Sequence, residues 1–143
     1  MRYLLDVNVV LALIDPDHVW HEMAQGWFDS TGGKAWATCP IVQNGVLRIA
    51  GHPRYPNSPG TPAGVAKLLV RFFALPGHEF WSDEISLLSH PGIQIDNLSH
   101  STQVTDTYLL ALASSRGGQL ATFDRRMVTN TVDSGDKVLH LIA

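Results

Sequence analysis

Asp6, Asp106 and Asp124 stand in three distant segments, each beside an apolar run. The segments are Tyr3-Leu4-Leu5-Asp6-Val7-Asn8, Val104-Thr105-Asp106-Thr107-Tyr108 and Ala121-Thr122-Phe123-Asp124-Arg125-Arg126. Carboxylates that are pushed together repel one another unless a cation neutralises them. An all-oxygen ligand set suits Mg2+ or Mn2+, ions that activate water and stabilise charge on a phosphate. Taken singly, each aspartate has a plainer role. Asp6 is a turn former or helix cap, Asp106 suits the positive end of a helix, and Asp124 can cap the segment that follows it. Spacing by itself does not bring the three together.

The elements that would carry them alternate between strand and helix. Arg2 to Leu5 reads as a buried strand ending at Asp6, with a short helix from Asn8 that stops at Asp15-Pro16. Asp17 is placed to cap a second helix from His18 to about Ser30. Its residues Trp20, Met23, Ala24, Trp27 and Phe28 fall on one face. A strand over Ala35 to Thr38 leads to a helix from Pro40 to about Ala50, since proline suits a first helical turn. Gly51 to Gly60 is a loop, and Thr61 caps a helix over Ala63 to Leu75. His78 to Trp81 and Ile93 to Ile95 are strand candidates, and Asp83 is a candidate cap for a short helix from Glu84 to Leu88. A strong helix from Ser101 or Thr102 ends at Gly117-Gly118, and strands follow at Gln119 to Thr122 and Lys137 to Ile142. The pattern predicts an α/β fold, a three-layer α/β/α sandwich with a mostly parallel central sheet. In such sheets, sites form at the carboxyl ends of the strands, where Asp6 and Asp124 fall.

Bulk properties bound the reading. With 143 residues, 45% hydrophobic and 16% charged, the chain is sized for one domain over residues 1–143 with a real core. A net charge of −3 argues against nucleic-acid binding through bulk charge but permits a local basic rim. Cys39 is the only cysteine, so no internal disulfide forms. No signal peptide and no span of about 20 apolar residues is recognisable, so a cytoplasmic protein away from the membrane is expected.

Four segments in order resemble the PIN-domain ribonucleases of the VapC toxin type. They are Leu4 to Leu13, Thr38 to Ile49, Val104 to Ala113 and Leu120 to Arg126. The likeness spans nearly the whole chain. Each segment is weakly specific alone, and their order is what makes the match strong. The resemblance implies a Mg2+- or Mn2+-dependent endoribonuclease, the toxin of a toxin–antitoxin pair, that cleaves RNA with a metal-activated water. It implies a small cognate antitoxin and a homodimer. Asp6, Asp106 and Asp124 fall on the family's acidic positions and are the expected metal ligands, and Asn8 falls on a small polar position that helps order the site. Gln43 falls where the family usually has glutamate. An amide offers a carbonyl oxygen but neither neutralises a cation nor takes a proton near neutral pH. Weaker metal binding is expected. The alternative is a catalytically weakened or inactive PIN-fold protein that binds RNA or antitoxin. Whether Gln43 is natural or was introduced to silence the enzyme stays open.

Arg125 and Arg126 adjoin Asp124 and are candidates to hold RNA phosphates, as guanidinium forks do. Arg48 is a further rim candidate, and Arg54 and Tyr55 sit in the proline-rich loop. The face containing Trp20, Trp27 and Phe28 reads as core, with part of it available to an antitoxin helix. His18 and His21 have helical spacing but no third ligand, are expected to be exposed, and carry no zinc assignment. A response-regulator receiver would need adjacent acids after the first strand and an aspartate after a middle strand, where Cys39-Pro40 stands.

Overall fold

The computed structural model describes residues 1–143. Five parallel strands form one sheet: β1 (Tyr3–Leu5), β2 (Trp36–Thr38), β3 (His78–Phe80), β4 (Gln119–Thr122) and β5 (Leu139–Leu141), in the order β3-β2-β1-β4-β5. Every pairing is parallel, so the sheet has no antiparallel edge. Six helices complete the sandwich: α1 (Val7–Ile14), α2 (His21–Ser30), α3 (Pro40–Ala50), α4 (Pro62–Phe73), α5 (Val104–Ser115) and α6 (Gly135–Val138). No helix is long and apolar enough to cross a membrane.

The chain moves from β1 outward to β2 and β3, then returns to the far side of β1 for β4 and β5. The order therefore reverses between β1 and β4, the crevice where open α/β sheets bind their ligands. Tyr3, Leu4 and Leu5 pair with Gln119, Leu120 and Ala121, and the Asp6 N–H extends the ladder to the Ala121 carbonyl at 3.0 Å. The strands that carry Asp6 and Asp124 thus end side by side.

Burial explains why these segments hold still. Leu4, Leu5, Val9, Val10, Trp36, Ala37, Leu109, Leu110, Leu112 and Leu120 are fully enclosed in one apolar core. Such strands are covered on both faces, which is why they read as runs rather than alternations. Pro40 opens α3 as expected, and Thr61 Oγ1 accepts from the Gly64 N–H at 3.1 Å to cap α4. Gly45 lets α3 close on α1, since a Cβ there would stand 2.8 Å from Val7 Cγ2.

Several sequence expectations are corrected. Asp17 caps nothing: its N–H donates to Asp15 Oδ1 at 3.0 Å, and α2 begins only at His21. His18 and His21 are half-buried rather than exposed, with His21 Nδ1 2.6 Å from the Ala12 carbonyl oxygen, joining α1 to α2. No helix forms over Glu84 to Leu88, where Glu84 instead pairs with Arg116 Nε at 2.8 Å. Ile93 makes a lone antiparallel bridge to Val132 in place of a strand. The last expected strand divides into α6 and a shorter β5.

The loop over residues 51–60 is pinned by a buried acid. Asp15, 9% exposed, accepts from the Tyr55 hydroxyl at 2.7 Å and from Asn57 Nδ2 at 3.4 Å. Replacing Tyr55 with phenylalanine strips a buried carboxylate of its shortest hydrogen bond. A loss of ~1–3 kcal/mol in urea denaturation is expected, and an unchanged midpoint would show that water replaces the hydroxyl.

Candidate active site

Asp6 is the hub. It ends β1, caps α1 by accepting from the Val7 N–H through Oδ1 at 2.8 Å, and accepts from the Thr122 hydroxyl through Oδ2 at 2.8 Å. Only 8% of it is exposed. Burial pushes its carboxyl above the usual carboxylate range; the Thr122 and Val7 hydrogen bonds work against that, and repulsion from Asp124 adds to it.

Asp124 lies two residues past the end of β4 and is exposed. Its N–H donates to Thr122 Oγ1 at 3.1 Å, and its own Oδ1 accepts from the Arg126 N–H at 2.9 Å. Thr122 therefore holds two of the acids in register, through its hydroxyl proton to Asp6 and its lone pair to Asp124. Sequence reasoning passed over Thr122. The available signal was a hydroxyl two residues before an aspartate at a strand end.

Asp106 sits half-buried in the first turn of α5. The neighbouring Thr107 and Thr131 hydroxyls are 2.8 Å apart and fully enclosed, tying this turn to the loop after β4. Burial pushes the Asp106 carboxyl up to about 6, and the negative fields of Asp6 and Asp124 push the same way. The three acids thus feel one another across three elements. None has a cationic partner, because the ion pairs in the molecule are Arg2 with Glu79 and Arg116 with Glu84. No group of three or more His, Cys, Asp or Glu side chains is close enough in this structure to hold a metal ion. The donor set still fits a hard divalent cation: all oxygen, mutually repelling, and uncompensated by protein charge.

Of the three acids, Asp124 alone lines an open groove of about 330 Å3, together with Asn8, Trp20, Phe123, Arg125 and Arg126. Asn8 is exposed and its amide makes no hydrogen bond to protein, whereas the Thr122 hydroxyl holds the Asp6 carboxylate. Trp20 is 39% exposed and packs on Phe123 with ring centroids 4.8 Å apart. This ring is groove wall rather than core. Arg48 lies elsewhere, in a second open groove with Arg54 and Tyr55. The largest cavity, about 440 Å3, lies by Asp15 and the 51–60 loop, away from the three acids.

Gln43 stands in the first turn of α3, just past the end of β2. Its Nε2 donates to Thr38 Oγ1 at 3.1 Å.

No family model matches the chain. Individual relatives do. Ribonuclease VapC44 of Mycobacterium tuberculosis (strain ATCC 25618 / H37Rv) is 45% identical over 137 residues, covering 96% of each chain. The chain belongs to the VapC ribonuclease family. Ribonuclease VapC39 from the same strain is 41% identical over 124 residues, 87% of this chain and 89% of the relative. Among solved structures, Mycobacterium tuberculosis VapC20, described as a Sarcin-Ricin loop cleaving toxin, superposes with a TM-score of 0.63 at 16% identity over 87% of this chain and 91% of its own. VapBC2 from Rickettsia felis, bound to a DNA fragment from its promoter, gives a TM-score of 0.50 at 12% identity over 88% and 90%. At those identities the superpositions speak for the VapC fold.

Proposed function

We propose that this VapC ribonuclease is a divalent-cation-dependent endoribonuclease toxin, active in the cytoplasm as one domain over residues 1–143, with Asp6, Asp106 and Asp124 as the cation ligands. The observation that carries the reading is the mutual field of three unpaired carboxylates at the point where the strand order reverses. Mg2+ or Mn2+ held there would activate a water and offset charge on the scissile phosphate. The chain's own residues do the rest. Thr122 keeps Asp6 and Asp124 aligned, Arg125 and Arg126 hold RNA phosphates at the groove rim, and Asn8 offers its free amide to the same strand. Arg48, on its separate groove, would hold RNA farther from the cut. A small antitoxin, as in VapBC pairs, and a homodimer complete the proposal.

The test is cleavage of a mixed cellular RNA preparation by the purified chain and by Asp124→Asn prepared identically. Discrete fragments from the first alone are expected. Equal cleavage by both would assign the activity to a contaminant.

Trp20 gives the groove an aromatic face beside two guanidinium groups, the combination that binds unpaired bases. Stacking is worth ~1–3 kcal/mol per base, so Trp20→Ala should weaken binding of a single-stranded RNA about tenfold, and Trp20→Phe much less. Fluorescence anisotropy of a labelled oligonucleotide measures this. Equal affinity for all three proteins would remove Trp20 from the RNA path.

A further inference from the structure

The Gln43 amide is the end of a hydrogen-bonded chain that starts outside the site. Gln43 Nε2 donates to Thr38 Oγ1 at 3.1 Å, and Thr38 Oγ1 lies 2.7 Å from His78 Nε2. That ring is held firmly. It stacks on Phe73 at 12° with centroids 4.7 Å apart, and it packs on Trp36 at 4.6 Å.

The direction of each bond follows from counting protons. Burial of His78 holds its pKa below the usual value, the Arg2 guanidinium pushes the same way, and Glu79, which pairs with Arg2, pushes back. The imidazole is therefore neutral near pH 7, with a single N–H. Gln43 Nε2 donates to the Thr38 oxygen, so the Thr38 hydroxyl proton faces His78 Nε2, which accepts it and leaves the ring proton on Nδ1. Thr38 must then give its one hydroxyl proton to His78. Its lone pair is left to accept, and residue 43 must donate. An amide nitrogen satisfies that requirement and a carboxylate does not. The Gln43 carbonyl oxygen has no protein partner and remains the free end of the side chain.

We propose that His78, Thr38 and Gln43 form a positioning relay that fixes the Gln43 amide with its carbonyl oxygen left free, so that glutamine is the residue this chain is built to hold at position 43. Thr38 and His78 are positioning residues in this scheme, acting only through Gln43. The role of the free oxygen rests on the active-site reading above. The relay itself does not. Glutamate at position 43 would take the Thr38 proton. His78 would then have to donate to Thr38 through Nε2, so the ring would leave the Nδ1–H tautomer.

The experiment is a pH titration of the histidine ring nitrogens by long-range 15N–1H correlation on the full chain, comparing wild type, Thr38→Ser and Gln43→Glu. Wild type and Thr38→Ser should show His78 as the neutral Nδ1–H tautomer at pH 7. Gln43→Glu should move the neutral ring to the Nε2–H tautomer and raise the His78 pKa, as the new carboxylate at the end of the chain favours the charged ring. An Nε2–H tautomer in wild type, or the same His78 titration in wild type and Gln43→Glu, would overturn the relay. The readout needs no RNA. A chain that cleaves nothing but shows the shift keeps the relay and loses the ribonuclease reading, and a chain that cleaves without the shift does the opposite.

Discussion

Asp6→Asn should abolish RNA cleavage, lowering the rate by at least ~100-fold, while leaving the fold as stable as before or more so. The two halves of this expectation have separate causes. Activity falls because the hub of the acid cluster loses its charge. Stability holds because asparagine keeps an oxygen for the Val7 N–H, and Thr122 can turn its hydroxyl to accept from the new amide. The substitution also removes a charge that burial disfavours and Asp124 repels. Active sites hold such uncomfortable groups at the expense of stability. Rates on a defined RNA and melting temperatures in EDTA check both halves. An active variant would remove Asp6 from the chemistry. An inactive variant that melts many degrees lower would mean that the loss came from a damaged fold.

Asp106 should make the cation-free protein less stable as pH rises. Its carboxyl moves from an unfolded value of 3.8 to about 6 in the fold, so between those values the folded chain binds more protons than the unfolded one. Stability contributed by protonated Asp106 is complete below 3.8 and is lost as pH climbs through about 6. Denaturant midpoints in EDTA should therefore fall across that window, and Asp106→Asn should flatten the fall. A divalent cation reverses the trend. It binds the ionised acid and displaces the proton, so its apparent affinity should rise with pH up to about 6 and then level off. Wild type and Asp106→Asn with the same pH profile would mean that Asp106 titrates normally.

Much of the framework was legible in the sequence because local chemistry and tertiary packing agreed there. Pro40 at the start of α3, Thr61 before α4 and the apolar runs of β1, β2 and β4 each specify one structure. The failures came where a tertiary contact outweighed a local signal. Asp17 is a good cap by type, yet Asp15 captures its N–H, and His21 docks on Ala12 to set the start of α2. Glu84 is drawn to Arg116 instead of opening a helix. The acids were readable by type and by family likeness, whereas the pairing of the strands that lead to Asp6 and Asp124 depended on the sheet order. The hydroxyl of Thr38 carried no signal, since threonine in a strand is ordinary, and that of Thr122 only its place two residues before an aspartate. Their importance lies in the single proton each must place. Gln43 shows the same point. In sequence it marks a missing acid, whereas in the fold it is the donor that Thr38 needs.

The central claim is that Asp6, Asp106 and Asp124 form one cation site that drives RNA cleavage. The most direct measurement is Mn2+ binding to the purified chain near pH 7.5, followed by electron paramagnetic resonance, with RNA cleavage read on the same samples. The account predicts that wild type binds Mn2+, that Asp106→Asn binds it at least ~10-fold more weakly, and that cleavage tracks the bound fraction and stops in EDTA. RNA cleavage that continues undiminished in EDTA, in a preparation where Asp124→Asn is inactive, would contradict it.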